Sequence, residues 1–234
     1  MTFDPPLIPA VIIKRYKRFL ADVELADGSV VTAHCANSGS MKTCWEPGWE
    51  VQLSPSDNPK RKLKYTLEML HNGTCWIGVN TMQPNRVVVA AATAGEIPEL
   101  TGYDEYRAEV KYGKNSRIDL LCSRGDERCY VEVKNTTLVE EPGGPYTFPD
   151  AVTSRGLKHL QELSDMVAQG HRAVMLYFIQ RADGSHFEPA RAIDPAYADG
   201  LEKAHAAGVE ILAYRADVSP TGIHLAEPVA WKLA

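Results

Sequence analysis

The chain has 234 residues, 44% hydrophobic and 24% charged, with a formal net charge of −5. That is the composition of a soluble globular protein with enough length for one large core or two modest ones. No window approaches the ~18 apolar residues of a membrane span, and five cysteines without C-x-x-C spacing argue against a zinc ribbon or a disulfide framework.

The first segment, "MTFDPPLIPAVIIKRYKRF", carries its charges after the apolar run. A secretory signal has the opposite order, so a cytoplasmic protein is expected. From Pro9 to about Val79 the pattern is β. "RFLADVELADGSVVTAHC" alternates through Phe19, Ala21, Val23 and Leu25, with a turn at "ADGS". "WEVQLSPS" is a further strand, and "YTLEMLHNGTCWIGV" supplies two more around His71-Asn72-Gly73. Such short strands with Gly, Pro and Asn turns predict a small barrel over residues 1–83, an OB-fold first, though barrels of other topology share the pattern.

After Asn80 the texture changes. "QPNRVVVAAATAGEI" has Pro84 at a helix start and Gly95 as its stop. Three strands follow: "YDEYRAEVKYG", "SRIDLLC" and "RCYVEVKN". A helix over "VTSRGLKHLQELSDMVAQGH" has Thr153 or Ser154 as cap, an apolar stripe of Leu157, Leu160, Leu163 and Val167, and Gly170 as its end. "RAVMLYFIQ" reads as a central buried strand, "YADGLEKAHAAGV" as a helix and "EILAYRADV" as a last strand. Residues 84–234 thus form a second unit with the order α-β-β-β-α-β-α-β.

Charge is divided unevenly. Residues 1–83 hold nine Lys/Arg against eight Asp/Glu, and residues 84–234 hold sixteen against twenty-two. The N-terminal part has two basic clusters, Lys14, Arg15, Lys17 and Arg18, then Lys60, Arg61, Lys62 and Lys64. A local field of this kind attracts a phosphate backbone. Tyr16 and Phe19 add aromatic faces to the first cluster, although Phe19 falls on the apolar alternation and is expected in the core.

The chemistry concentrates in "RIDLLCSRGDERCYVEVKN", two strands joined by a polar turn. Alternation points Ile118, Leu120 and Cys122 one way and Asp119 the other; Val131 and Val133 face the core, with Glu132 and Lys134 opposite. Cys122 and Cys129 flank the turn as packing residues. Antiparallel pairing brings Asp119 close to Glu132, and a divalent cation would relieve their repulsion. Lys134 shares that face, placed to act on water or on a phosphate charge. "AEVKYG" repeats the Glu-x-Lys pattern and offers Glu109 as a third carboxylate. A solvated polar face is the competing reading.

The acid followed by Glu-x-Lys in this α-β-β-β-α-β order resembles the PD-(D/E)xK nuclease core. "VIIKRYKRFLADV" (11–23), "HCANSGSM" (34–41), "GYDEYRAEVKYGKNSRIDLL" (102–121), "CYVEVKNTTL" (129–138), "FPDAVTSRGLKHLQEL" (148–163) and "GVEILAY" (208–214) are similar to the sugar fermentation stimulation protein (SfsA) family. The resemblance implies an OB-fold followed by a PD-(D/E)xK restriction-endonuclease-like domain with a central mixed sheet. It also implies non-specific DNA binding and a regulatory role in sugar (maltose) metabolism. Asp119, Glu132 and Lys134 then match the catalytic pattern, with Asp119, Glu132 and Glu109 as ligands to Mg²⁺ or Mn²⁺. Ile118 stands where the pattern has Pro, and the first helix carries no acid.

Arg155, Lys158 and His159 lie along one side of the strong helix, where they would reach a phosphate or simply form a solvated face. Asn37 and Ser38 offer amides to a phosphate or only make a turn. Two functions follow: a metal-dependent nuclease, or a DNA-binding regulator that keeps the nuclease fold as a scaffold.

Overall fold

Alternation along the first strands closes a barrel in the computed structural model, which describes residues 1–113 and 116–233; Lys114 and Asn115, within the Gly102–Leu121 motif, lie outside the described residues. β1 (Ile8–Tyr16), β2 (Leu20–Leu25), β3 (Val30–Cys35), β4 (Glu50–Pro55) and β5 (Tyr65–His71) pair in the order β3-β2-β1-β4-β5. A short parallel pairing of β3 with β5 at His34/Thr66 and Cys35/Leu67 closes the ring. Ile12, Ala21, Val23, Ala33, Cys35, Val51, Leu53 and Leu67 fill it, each without solvent exposure. β6 (Trp76–Gly78) extends β5 as a hairpin.

Phe19 departs from the expected core position and is 45% exposed. Lys17 and Arg18 both take positive φ (48° and 65°) and reverse the chain there, so the inward alternation starts only after the turn.

α1 (Gln83–Thr93) begins with Pro84 in its first turn and leads to a six-stranded mixed sheet. Its chain order is β7 (Glu105–Tyr112), β8 (Ser116–Arg124), β9 (Glu127–Thr136), the short β10 (Tyr146–Phe148), α2 (Ser154–Ala168), β11 (Arg172–Ile179), the short β12 (Phe187–Pro189), α3 (Pro195–Ala206), β13 (Glu210–Ser219) and β14 (Gly222–Pro228). Strands lie in the order β14-β13-β11-β9-β8-β7, and β9, β11 and β13 run parallel. α1 covers one face over Leu120, Val131, Val133, Val174 and Leu176. α2 and α3 cover the other, over Leu121, Met175 and Tyr177. β11 is therefore buried on both sides, which is why it reads as an unbroken apolar run.

β10, β12 and β14 are additions to the expected order. The first two are three-residue pairings, and β14 is an edge strand with only Ile223 and Leu225 turned to the core. On α2 the stripe also shifts. Leu160, Leu163 and Met166 are buried while Leu157 is 38% exposed. Thr153 caps the helix by accepting from the Gly156 N–H at 3.0 Å.

The two halves are stitched together. Gly78 N–H donates to the Gln180 carbonyl at 2.9 Å, Thr2 bridges to Gly222, and the Glu68 carboxylate of β5 accepts from Asn80 and Gln83, both at 2.9 Å. Cys122 and Cys129 face each other across the β8–β9 ladder as free thiols. Among the described residues no helix is long and apolar enough to cross a membrane.

Candidate metal and phosphate site

The β8–β9 ladder stops at Leu120/Val131. In continued register Asp119 would face Glu132 directly. Instead the Asp119 carboxylate takes the place of a backbone acceptor, and its Oδ2 receives the Val133 N–H at 2.7 Å. Beyond this point β9 continues beside β11, with Glu132 opposite Met175 and Lys134 opposite Tyr177. Alternation breaks with the ladder: Ile118 packs with Leu121 in the α2-side core, not with Leu120 and Cys122. The strands part, and polar side chains gather where they do.

Glu132 is 2% exposed. Its Oε1 accepts from Lys134 Nζ at 2.6 Å and meets His159 Nδ1 of α2. A carboxylate only accepts, so the network puts the imidazole proton on Nδ1 and leaves Nε2 as acceptor for Arg155 Nε at 3.4 Å. Glu132 Oε2 is buried with no hydrogen-bond partner among the described residues. Burial alone would push the Glu132 carboxyl up; the His159 hydrogen bond and the Lys134 charge outweigh it and hold the group below its usual value.

Asp119 behaves oppositely. Burial, then the neighbouring Glu132 charge, push its carboxyl up to about 6, against the weaker pull of the Val133 N–H, Lys134 and the Asn85 amide. Asn85 of α1 donates to Asp119 Oδ1 at 2.6 Å. On the α2 side Glu162 accepts from Ser116 Oγ at 2.9 Å, and Lys158 Nζ lies 3.0 Å from that hydroxyl. The Tyr112 hydroxyl is buried without a hydrogen-bond partner among the described residues. Burial and the charges of Glu132, Glu162 and Asp119 push it well above the ordinary phenol range.

Asp119, Glu132, Lys134 and His159 are thus brought together, with Arg155 behind the histidine. Lys158 is half-exposed and lies 3.4 Å from Glu162. Glu109 stands on β7 across from Asp119 in the β7–β8 ladder, exposed and with φ 57°, and lines a cavity of about 530 Å³ with Asp119 and Asn85. No three His, Cys, Asp or Glu side chains converge as a metal cage among the described residues.

The barrel cations divide. Arg15 is spent on the carbonyls of Asn37, Gly39 and Ser40 and so shapes a loop. Lys14 pairs with Asp22 at 3.4 Å, and Arg61 donates to Thr66 at 2.9 Å. Lys17, Arg18, Lys60, Lys62 and Lys64 are exposed. Three N–H groups of the Asn37–Met41 loop, those of Gly39, Ser40 and Met41, are taken by side chains of the protein. Asp150 Oδ2 accepts from the Ser40 and Met41 N–H groups at 2.7 and 3.4 Å, and Asn37 Oδ1 takes that of Gly39 at 2.8 Å.

Asn85, Tyr112, Ser116 and Asp150 were not legible as site residues. Asn85 reaches Asp119 from a helix that carries no acid. Glu162 was legible in principle, three residues after His159 and so on the same face of α2.

A closed OB-like barrel joined to a helix-flanked mixed sheet, with Asp and Glu-x-Lys where two central strands part, defines a two-domain protein with a restriction-endonuclease-like core. Residues 13–79 match the family model "SfsA N-terminal OB domain" and residues 82–222 match "Sugar fermentation stimulation protein RE domain". A sugar fermentation stimulation protein homolog of Geotalea uraniireducens is 59% identical over 94% of both chains, and one from Acidithiobacillus ferrooxidans is 54% identical over 96% of this chain and 98% of its own. The structure described as Pyrococcus furiosus SfsA in complex with Ca²⁺ superposes with a TM-score of 0.88 at 26% identity, covering 99% of this chain and 98% of that one. The chain belongs to the sugar fermentation stimulation protein family.

Proposed function

We propose that the protein binds nucleic acid and holds a divalent cation, Mg²⁺ or Mn²⁺, at Asp119 and Glu132 for phosphodiester hydrolysis. One observation carries this reading: Glu132 Oε2 is buried without a partner among the described residues, beside an Asp119 carboxyl pushed up by burial and then by the Glu132 charge. A hard cation satisfies both groups at once. The donor set is all oxygen, which suits Mg²⁺, Mn²⁺ or the Ca²⁺ named for the Pyrococcus relative. When bound, such a cation supplies Lewis acidity toward a phosphoryl oxygen and acidifies water.

The chain's own residues do the rest. The Val133 N–H and Asn85 orient Asp119. His159 fixes Glu132, and Arg155 fixes the histidine ring. Lys134, on the same oxygen of Glu132, is placed to stabilise charge developing on a phosphate. Lys17, Arg18, Lys60, Lys62 and Lys64 supply the exposed positive field for the strand.

A second reading keeps nucleic-acid binding and drops turnover, as in a regulator of sugar metabolism. It is favoured by Lys134 and His159 both resting on Glu132 Oε1, so that one oxygen is already neutralised. Incubating labelled single- and double-stranded DNA and RNA with Mg²⁺, Mn²⁺ or chelator separates the two. Metal-dependent cutting that disappears in Asp119→Ala and Lys134→Ala supports hydrolysis; binding without cutting supports the second reading.

A further inference from the structure

The cleft between barrel and sheet domain holds a cavity of a different kind. Its volume is about 190 Å³, and its walls include Ser38, Asn135, Thr137, Thr147, Phe148 and Asp150. No Lys or Arg lines it, so phosphate is not the group it selects. The Ser38 and Thr147 hydroxyls have no hydrogen-bond partner among the described residues, whereas the Thr137 hydroxyl is engaged by the Cys44 thiol. Asn135 uses its oxygen on Gln180 at 2.8 Å and keeps its NH₂ group, while Asp150 uses Oδ2 on the Ser40–Met41 loop and keeps Oδ1. Donors and an acceptor therefore face inward together. Phe148 forms an aromatic wall, held rigid against Tyr177 and Tyr197 at centroid distances of 5.9 and 5.2 Å.

Size narrows the occupant. At about 30 Å³ per water the cavity equals roughly six waters, enough for one ring and too little for several linked units. Position chooses the ring. Thr81 lines both this cavity and the one that contains Asp119 and Asn85. Asn135 follows Lys134 on β9, its side chain on the face opposite to that of Glu132 and Lys134. A ring seated here adjoins the carboxylates, as a base adjoins its own phosphodiester.

We propose that this cavity receives one unpaired nucleobase of the nucleic acid whose backbone lies at Asp119, Glu132 and Lys134. The inference rests on the nucleic-acid reading above and adds the substrate class: single-stranded or locally unpaired, because a stacked, paired base cannot enter. Phe148 supplies the apolar wall. The free hydroxyls, the Asn135 amide and Asp150 Oδ1 meet the base edge.

Fluorescence anisotropy with Ca²⁺ tests it, using a short oligothymidylate, the same backbone made fully abasic, and the thymidylate–adenylate duplex. Wild type is expected to bind the single strand about tenfold tighter than either alternative. Ser38→Ala with Thr147→Val removes two hydroxyls that serve no protein partner among the described residues, so melting temperature should hold while that preference shrinks roughly fivefold. Equal binding of all three probes would overturn the base cavity and leave the nucleic-acid reading standing. No binding to any probe would remove both. An unchanged preference in the double variant would overturn the assignment by placing the base elsewhere. Competition by methyl glucoside but not by thymidine would give the cavity to a sugar and overturn it as well.

Discussion

Two buried charged clusters sit within one protein and are built on opposite plans. At the interface of the halves, Arg181 is 3% exposed and grips both oxygens of Asp183 at 2.6 and 2.7 Å. Its remaining nitrogen donates to Thr43 and to the Thr137 carbonyl, and Asn72 adds a donor to Asp183 at 2.7 Å. Burial pushes the Asp183 carboxyl up, but the bidentate guanidinium prevails and holds it below its usual value. One acid meets one base, and the donors are matched. At the strand ends the match is incomplete: Asp119 is pushed up to about 6, and among the described residues a Glu132 oxygen and the Tyr112 hydroxyl have no hydrogen-bond partner. The first cluster is complete within the chain and serves as a latch. The second leaves polar atoms unmatched among the described residues, the deficit that the proposed divalent cation would fill.

Breaking the latch should have the largest effect. Arg181→Ala strands a buried carboxylate and should cost about 3–5 kcal/mol in urea unfolding. Asp183→Asn, which leaves the guanidinium half-satisfied, should cost less. If Arg181→Ala is as stable as wild type, the latch is decorative and the comparison fails.

The strand-end cluster should respond in the other direction. Folded Asp119 holds its proton up to about 6, above the 3.8 of the unfolded chain. Its contribution is therefore fully present below 3.8 and is lost as pH rises through 6. In metal-free protein Asp119→Asn should be more stable than wild type at pH 7.5, by at most ~3 kcal/mol, with the gap closing toward pH 4. Melting curves at both pH values check the sign, and a variant less stable at pH 7.5 would contradict it.

Lys134→Met tests the role of the cation beside Glu132. Turnover of a labelled strand should fall by about 10²–10³-fold, while Mn²⁺ binding is retained because a competing positive charge is gone. The smallest effect belongs to the barrel. Lys60→Ala with Lys62→Ala should lower the slope of log affinity against log salt by about 1.5–2, and an unchanged slope would remove that loop from the nucleic-acid surface.

Much of this was legible in the sequence for identifiable reasons. Period-two alternation marked the barrel strands because one face is buried, and β11 stood out because both faces are. Glu132 and Lys134 were legible because β9 keeps strict alternation. The direction of Ile118 was not, because the ladder ends at Asp119 and a side chain replaces a backbone carbonyl. Phe19 misled because the turn at Lys17 and Arg18 lies one step earlier than the apolar pattern suggests. Asp150 and Asn85 were hidden for another reason: each acts on a segment more than thirty residues away, across a contact that only tertiary structure creates.

The central claim is that Asp119 and Glu132 share a cation. Titrating Mn²⁺ calorimetrically into wild type and into Asp119→Asn/Glu132→Gln at pH 6 tests it most directly. One saturable site per chain is expected in wild type, with proton release from Asp119 seen as a buffer-dependent heat, and none in the double variant. Equal binding in both proteins, or no binding in wild type, would contradict the account.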